Sequence, residues 1–310
     1  MIKVGILGTG FGKTHLEIYQ RIDGVQVVSV FGRNKEKLDS INKEHDVQTT
    51  DDIAEVLDNP DIDLIDVCLP TKMHAEWVIK ALKSGKHVFC ETPISYSYDE
   101  ACDIQKASLQ YNKNVYVNLF IKFSAPHKYA IELLKNGDCG KLIGIRTYNK
   151  TSSRWGDLGL KNNLESFHNH MMDYTIELAG MPNSVTASGF DYGSKSIITS
   201  FLKYNSLYAI LESNSAMPEC CPFEIGFELL CTEGIIRFDA VYGDYTSEEF
   251  SITVNGKTRE IMQIDEVDDF EESIRHVLYC LQNNKKSDLI DIEAAANTIK
   301  LKEMVVNAFA

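Results

Sequence analysis

Residues 2–15 read IKVGILGTGFGKTH. The apolar run 2–7 ends in glycines and gives way to helical spacing from about Phe11 to Ile22, which reads as a buried strand, a tight turn and a helix. Gly8 permits the turn. Gly10 lets the backbone approach a pyrophosphate held at the helix N-terminus, where free amide groups and the helix dipole favour an anion. The usual G-x-G-x-x-G pattern places its third glycine at 13, which is Lys13 here, with Gly12 one position earlier in its stead. A strand-to-helix turn without any ligand would use the same glycines, so the surrounding alternation decides between the two.

That alternation continues for about 120 residues. A strand is expected at Val25–Phe31 and a helix at 35–44, then Asp51 and Asp52 at a helix start before IAEVL. LIDVCLP at 64–70 is apolar enough to be covered on both faces, as parallel-sheet strands are. A helix at 72–84, the strand HVFC at 87–90, a helix at 97–112 and the strand VYVNL at 115–119 complete the run. Strands alternating with helices indicate βαβ units and a doubly wound parallel sheet.

The remainder changes character. A helix at 126–136 and a strand near 141–149 precede a polar stretch and a helix at about 165–179. Strands then dominate at 184–190, 196–203, 206–213, 224–231, 234–239, 250–254 and 258–264, with helices at about 268–283 and 291–309. Asn255-Gly256 is a strong type I′ hairpin signal. The expectation is a dinucleotide-binding Rossmann domain over 1–120, followed over 121–310 by an α+β domain with a mostly antiparallel sheet, which the family resemblance given below implies is open and serves substrate binding and oligomerisation.

At the tip of the second strand an NAD-preferring site places an acid against the ribose 2′-hydroxyl. Here the tip is Phe31-Gly32-Arg33, without an acid. Arg33 can pair with a 2′-phosphate, so NADP is expected over NAD, which stays possible. An ordinary solvated charge at a helix start is the alternative for Arg33.

Lys plus Arg number 31 against 45 Asp plus Glu, a formal charge of -14, which disfavours nucleic-acid and membrane partners. The N-terminus enters a strand pattern at once, without the basic, apolar and small-residue order of a secretory signal. The eight cysteines lack CxxC spacing and read as mostly buried thiols of a reducing compartment. A cytoplasmic location is expected.

In order and spacing, VGILGTGFGKTH (4–15), DVCLPTKMH (66–74), ALKSGKHVFCETP (81–93), NLFIKF (118–123), GKLIGI (140–145) and HNHMMDYTIELAG (168–180) resemble the Gfo/Idh/MocA family of nicotinamide-dependent oxidoreductases. The resemblance implies a small, sugar-like substrate and a homodimer or homotetramer. It places Gly8, Thr9, Gly10, Phe11, Gly12, Gly32, Arg33, Leu69, Pro70, Thr71, His74, Glu91 and Pro93 around the cofactor.

Two family positions depart. The usual Glu-Lys-Pro is Glu91-Thr92-Pro93, so a charged substrate-orienting group becomes a hydroxyl. The usual Asp four residues before the histidine is Ser166, while His170 and Asp173 keep the His-x-x-Asp spacing. His170 is the acid/base candidate, since imidazole titrates near neutral pH; a helix histidine merely bonded to Asp173 is the alternative. Thr92, Lys122 and Asp173 are secondary catalytic candidates, and Lys150, Arg154 and Trp155 lie on the polar stretch that overhangs substrate in relatives. His168 and His170 point about 200° apart on a helix, a poor geometry for one ion, so no metal is expected.

These residues imply an NADP-dependent oxidoreductase for a small polyhydroxylated or carbonyl substrate. Two further readings stay open. One is a redox-neutral lyase or hydrolase with bound NAD(P). The other is a non-catalytic dinucleotide-dependent sensor, in keeping with the lost lysine and acid.

Overall fold

The computed structural model describes residues 1–152, 156–244, 246–261 and 268–309. The chain divides into two compact units, Met1–Phe120 with Asp268–Ile299, and Ile121–Val267 with Lys300–Ala310. Residues 268–299 thus group with the first unit, where an unbroken second domain over 121–310 was expected. The reason is local. Helix α9 (Asp269–Gln282) is tied to α1 (Phe11–Tyr19) by Arg21, which pairs with Asp268 at 3.2 Å and Glu271 at 3.0 Å. Val117 donates its N–H to the carbonyl of Ile290, so the chain after α9 runs along the edge of the first sheet.

The first unit carries six parallel strands: β1 (Ile2–Leu7), β2 (Val25–Phe31), β3 (Gln48–Thr50), β4 (Leu64–Val67), β5 (His87–Cys90) and β6 (Val115–Val117). Their order is β3-β2-β1-β4-β5-β6, the doubly wound dinucleotide-binding order. β1 and β4 are buried along almost their whole length, which is why they read as continuous apolar runs. The direction of winding reverses between β1 and β4, and ligands of such sheets bind outside the strand ends at that point. The strand tips are stitched in a row: Gly8 donates to Phe31 O, Cys68 to Leu7 O, and Glu91 to Val67 O, at 2.8–3.0 Å.

The second unit is built on an eight-stranded sheet with β7 (Leu142–Lys150) inside it. β7 pairs in parallel with β10 (Tyr208–Asn214) and antiparallel with β11 (Phe223–Cys231); the other pairings are antiparallel. Alternate residues of β9 (Ser196–Lys203), Ile198, Ser200 and Leu202, face inward, the two-residue period of a half-covered strand. Asn255 and Gly256 both have positive φ, 53° and 70°, as the type I′ turn between β13 (Thr246–Val254) and β14 (Lys257–Ile261) requires. The expected end of that last strand, 262–264, lies outside the described residues.

The helix expected over about 165–179 is α8 (Phe167–Ala179), and a short helix that was not expected, α7 (Leu160–Glu165), precedes it. Ser166 between them has φ -110° and ψ -91°, outside helical geometry.

Candidate functional site

Side chains cap four helix starts of the first unit, whereas α1 and the helix at His74–Lys83 have no such cap, and the latter carries Glu76 in its first turn. Asn34, Asp52, Ser97 and Asp268 each accept a hydrogen bond from an amide in the first turn of the helix that follows. At α1 the N-cap is Gly10, with no side-chain cap and no acid in the first turn. Its amide donors are left for an anion. A Cβ added to Gly10 would meet nothing within 4 Å, so the space before this helix start is open.

The other two glycines serve the frame. Gly8 has φ +125°, and a Cβ there would lie 2.3 Å from the carbonyl oxygen of Cys68. A Cβ on Gly12 would lie 2.8 Å from Ile6, so Gly12 sets the close approach of α1 to β1. Lys13, where the third glycine usually falls, points outward and pairs with Glu44 at 2.7 Å. A shift of one position is therefore accommodated.

A cleft of about 420 Å³ opens along the strand tips, lined by Gly8, Thr9, Gly10, Phe11, Phe31, Gly32, Arg33, Cys68, Leu69, Pro70, Thr71, His74, Glu91 and Thr92. Its size suits a bound small molecule or cofactor. Arg33 is exposed, and among the described residues no carboxylate pairs with it. Phe11 is 59% exposed and stacks on Phe270 with ring centres 6.2 Å apart.

His74 is buried rather than open to a ligand. Its Nδ1 lies 2.9 Å from the carbonyl of Pro93 and its Nε2 2.6 Å from that of Leu69. Burial pushes its pKa down while the two carbonyls oppose that, and the ring links the loop after β4 to the loop after β5. Its part in the cleft is to hold Leu69 and Pro93 in place.

Behind the cleft lies a group that sequence reading missed. His15 Nδ1 is 2.8 Å from Asp66 Oδ2, and Cys68 Sγ lies 3.3 Å from Asp66 Oδ1. These atoms fall within 4.8 Å of one another and are of metal-binding types. The imidazole, the thiol and the Tyr19 hydroxyl all hydrogen-bond the one carboxylate.

In the second unit, α8 carries His170 and Asp173 at i, i+3 spacing, with His168 turned away from His170. His168 is buried and neutral, its pKa pushed down to about 3 by burial, and its nitrogens meet the hydroxyls of Ser213 and Ser200 at 3.0 and 2.8 Å. It anchors the helix to the sheet. His170 is half-buried and borders a cavity of about 40 Å³ with His127, Tyr148 and Tyr174. Lys122 is 5% exposed and pairs with Asp173 at 3.3 Å, so it is a buried ion-pair partner and not a solvated surface lysine. Lys150 lies over the Tyr148 ring. Arg154 and Trp155 lie outside the described residues. Thr92 belongs to the first unit; His170, Lys122 and Asp173 belong to the second.

One further acid sits beside that pair. Burial raises the Glu177 carboxyl to about 7, Asp173 adding to the effect and Lys122 opposing it. The folded pKa lies above the ordinary 4.5, so the stability this group contributes is present below about pH 4.5 and lost as pH rises through 7. Glu177→Gln should therefore leave the melting temperature near wild type at pH 5 and raise it by a few degrees at pH 8. Parallel melting curves that keep the same separation at both pH values would refute this.

Residues 2–119 match the family model described as oxidoreductase family, NAD-binding Rossmann fold. That model is the Gfo/Idh/MocA family's, and over this span the chain is similar to it. An uncharacterized oxidoreductase of Bacillus subtilis (strain 168) is 30% identical over 141 residues, 45% of this chain and 41% of its own. A 2,7-anhydro-N-acetylneuraminate hydratase of Escherichia coli (strain K12) is 28% identical, over 61% of this chain and 53% of its own. The chain spans about half the length of these curated relatives. The scyllo-inositol 2-dehydrogenase (NADP(+)) of Bacillus subtilis (strain 168) is 25% identical, over 70% and 64%. Among solved structures, aldose-aldose oxidoreductase from Caulobacter crescentus superposes with TM-score 0.85 at 17% identity, covering 99% of this chain and 97% of that one. Biliverdin reductase from Synechocystis sp. PCC 6803, in complex with biliverdin and NADP+, gives 0.83 at 19%, covering 99% of both. At such identities the superpositions establish the shared fold, and residues 2–119 match an NAD-binding Rossmann fold.

Proposed function

We propose that this chain is an NADP-dependent oxidoreductase acting on a small polyhydroxylated or carbonyl compound of the sugar class. The observation that carries the reading is the uncapped start of α1 beside the open face of Gly10, with Arg33 at the β2 tip and no acid there. The α1 amides would hold the diphosphate and Arg33 the 2′-phosphate. The loops fixed by His74 would flank the nicotinamide end, which supplies hydride exchange when bound. His170 would give or take the proton at the substrate oxygen, with Thr92 as a neutral hydrogen-bond donor in place of a lysine. Lys122 and Asp173 would position α8 and its histidine. The inositol dehydrogenase and aldose oxidoreductase among the similar proteins favour a polyhydroxylated substrate.

Arg33→Ala is the direct test of the cofactor reading. A charge-assisted hydrogen bond contributes about 1.5–3 kcal/mol, so NADPH affinity should fall roughly 10- to 150-fold while NADH affinity stays unchanged. Calorimetry with both nucleotides reads this. Wild-type protein that binds NADH more tightly than NADPH refutes the preference.

The hydratase relative favours a second reading, in which the bound nucleotide serves a reaction without net redox change. A panel of aldoses, ketoses and deoxyketo sugars separates the two. Steady loss of NADPH absorbance marks the reductase, and product without cofactor change marks the redox-neutral enzyme.

A further inference from the structure

The buried network behind the cleft has a charge that the proposed chemistry does not use. His15 is 0% exposed, with Asp66 at 2.8 Å on one nitrogen and Glu91 at 2.9 Å on the other. The Glu91 contact is an ion pair bent away from an aligned hydrogen bond. Glu91 also accepts from Asn118 at 2.7 Å and from the Thr92 amide at 3.3 Å. Tyr19 and Cys68 donate to Asp66, and the Phe89 ring stacks on the imidazole.

Two carboxylates face one ring, so each nitrogen has reason to keep its proton. Burial alone would push the His15 pKa down; the Asp66 charge and hydrogen bond overcome that and hold it well above the ordinary value. Burial likewise opposes ionisation of Glu91, yet His15 and the two N–H donors hold its pKa below the usual range. Tyr19 and Cys68 are kept neutral by burial. These are the titratable groups facing the ring. The sum is two negative charges and one positive.

Only one member of the trio reaches the cleft. Glu91 follows the last residue of β5 and forms part of the cleft wall, whereas His15 and Asp66 lie behind it. The wall runs from Arg33 at the β2 tip, past the glycines after β1, to Leu69–Thr71 after β4 and Glu91 after β5. With the 2′-phosphate on Arg33 and the diphosphate at Gly10, the remaining end, that of Glu91, takes the nicotinamide.

We propose that Glu91, clamped by His15 and Asp66, places a fixed negative charge at the nicotinamide end of the cleft and makes it bind the oxidised, pyridinium cofactor more tightly than the reduced one. In this scheme Glu91 is a cofactor-binding residue that sets redox-state preference, and His15 and Asp66 are positioning residues. The inference rests on the dinucleotide reading of the cleft. A carboxylate a few ångström from a ring cation, in a medium of effective dielectric near 20, accounts for a preference of about tenfold once solvent screening is allowed for.

Calorimetric titration of the full chain with NADP+ and with NADPH at low salt tests this. Wild type should favour NADP+ by about tenfold, and Glu91→Gln, which keeps the shape and one of the two accepting oxygens, should bring the ratio near one. Glu91→Ala, which removes the charge without setting an amide against the Asn118 and Thr92 donors, should do the same and stands in if Glu91→Gln does not fold. A purely structural role would weaken both forms alike. An unchanged ratio in both variants, or a wild type without preference, overturns the proposal. Failure of wild type to bind either nucleotide overturns the dinucleotide reading instead, so the two failures are distinguishable.

Discussion

His170→Asn is expected to lower turnover by about 10²- to 10⁴-fold, the range lost with a positioned acid or base, while NADPH binding stays at the wild-type value. The separation follows from placement: the cleft residues belong to the first unit and His170 to the second. Asparagine keeps a polar side chain of similar reach but cannot titrate near neutral pH. α8 should survive the change, since its hold on the sheet comes from His168 bonded to Ser200 and Ser213, and from Lys122 on Asp173. The discriminating readout is the pH profile of kcat. Wild type should show a limb that reports an imidazole, and the variant should lose that limb. Full activity in the variant, or reduced activity with the limb intact, removes His170 from the chemistry. In the second case Glu177, whose carboxyl titrates at about 7 beside Lys122 and Asp173, becomes the next group to replace.

What could be read in advance was local. β1, β2 and β5 fall on mostly apolar runs, as the strands of a parallel sheet covered by helices do. The three polar residues of β3 were passed over, since an edge strand of sequence QTT has no such signature. The return of 268–299 to the first unit depends on Arg21 meeting Asp268 and Glu271, partners far away in sequence.

The site divides in the same way. Glycine spacing and the missing acid at the β2 tip are short-range patterns and could be read. The His15, Asp66 and Glu91 network is not, because its members come from α1, β4 and the end of β5. A signal did exist. Asp66 interrupts the apolar strand LIDV, and His15 shares the buried face of α1 with Gly12, Leu16 and Tyr19. A charged or titratable residue inside a run destined for burial must have a partner, and that asks for a search among the other such interruptions. Lys122 illustrates the converse. Lysine is mostly exposed, so without its partner Asp173 nothing marked it as buried.

Gly8→Ala and Gly10→Ala, two residues apart, are expected to fail in opposite ways. At Gly8 the backbone sits at φ +125°, and the new Cβ would stand 2.3 Å from a carbonyl oxygen that Cys68 cannot withdraw without tearing the β1–β4 junction. Strain of this kind against backbone belongs with the most damaging single substitutions, on the order of 4–5 kcal/mol, so the variant should melt far below wild type or not fold. At Gly10 φ is -85°, outside the left-handed region, and the methyl would meet no protein atom. Thermal stability should therefore stay near that of wild type. The methyl would occupy the space before the α1 amides, where the diphosphate is proposed to lie. Displacing two charge-assisted hydrogen bonds corresponds to about 3–6 kcal/mol, a loss of roughly 10²- to 10⁴-fold in NADPH affinity. Calorimetry and melting curves on the same two preparations check both outcomes. Gly10→Ala protein that binds NADPH as wild type does would mean that the diphosphate lies elsewhere, and that the open space before α1 has another use.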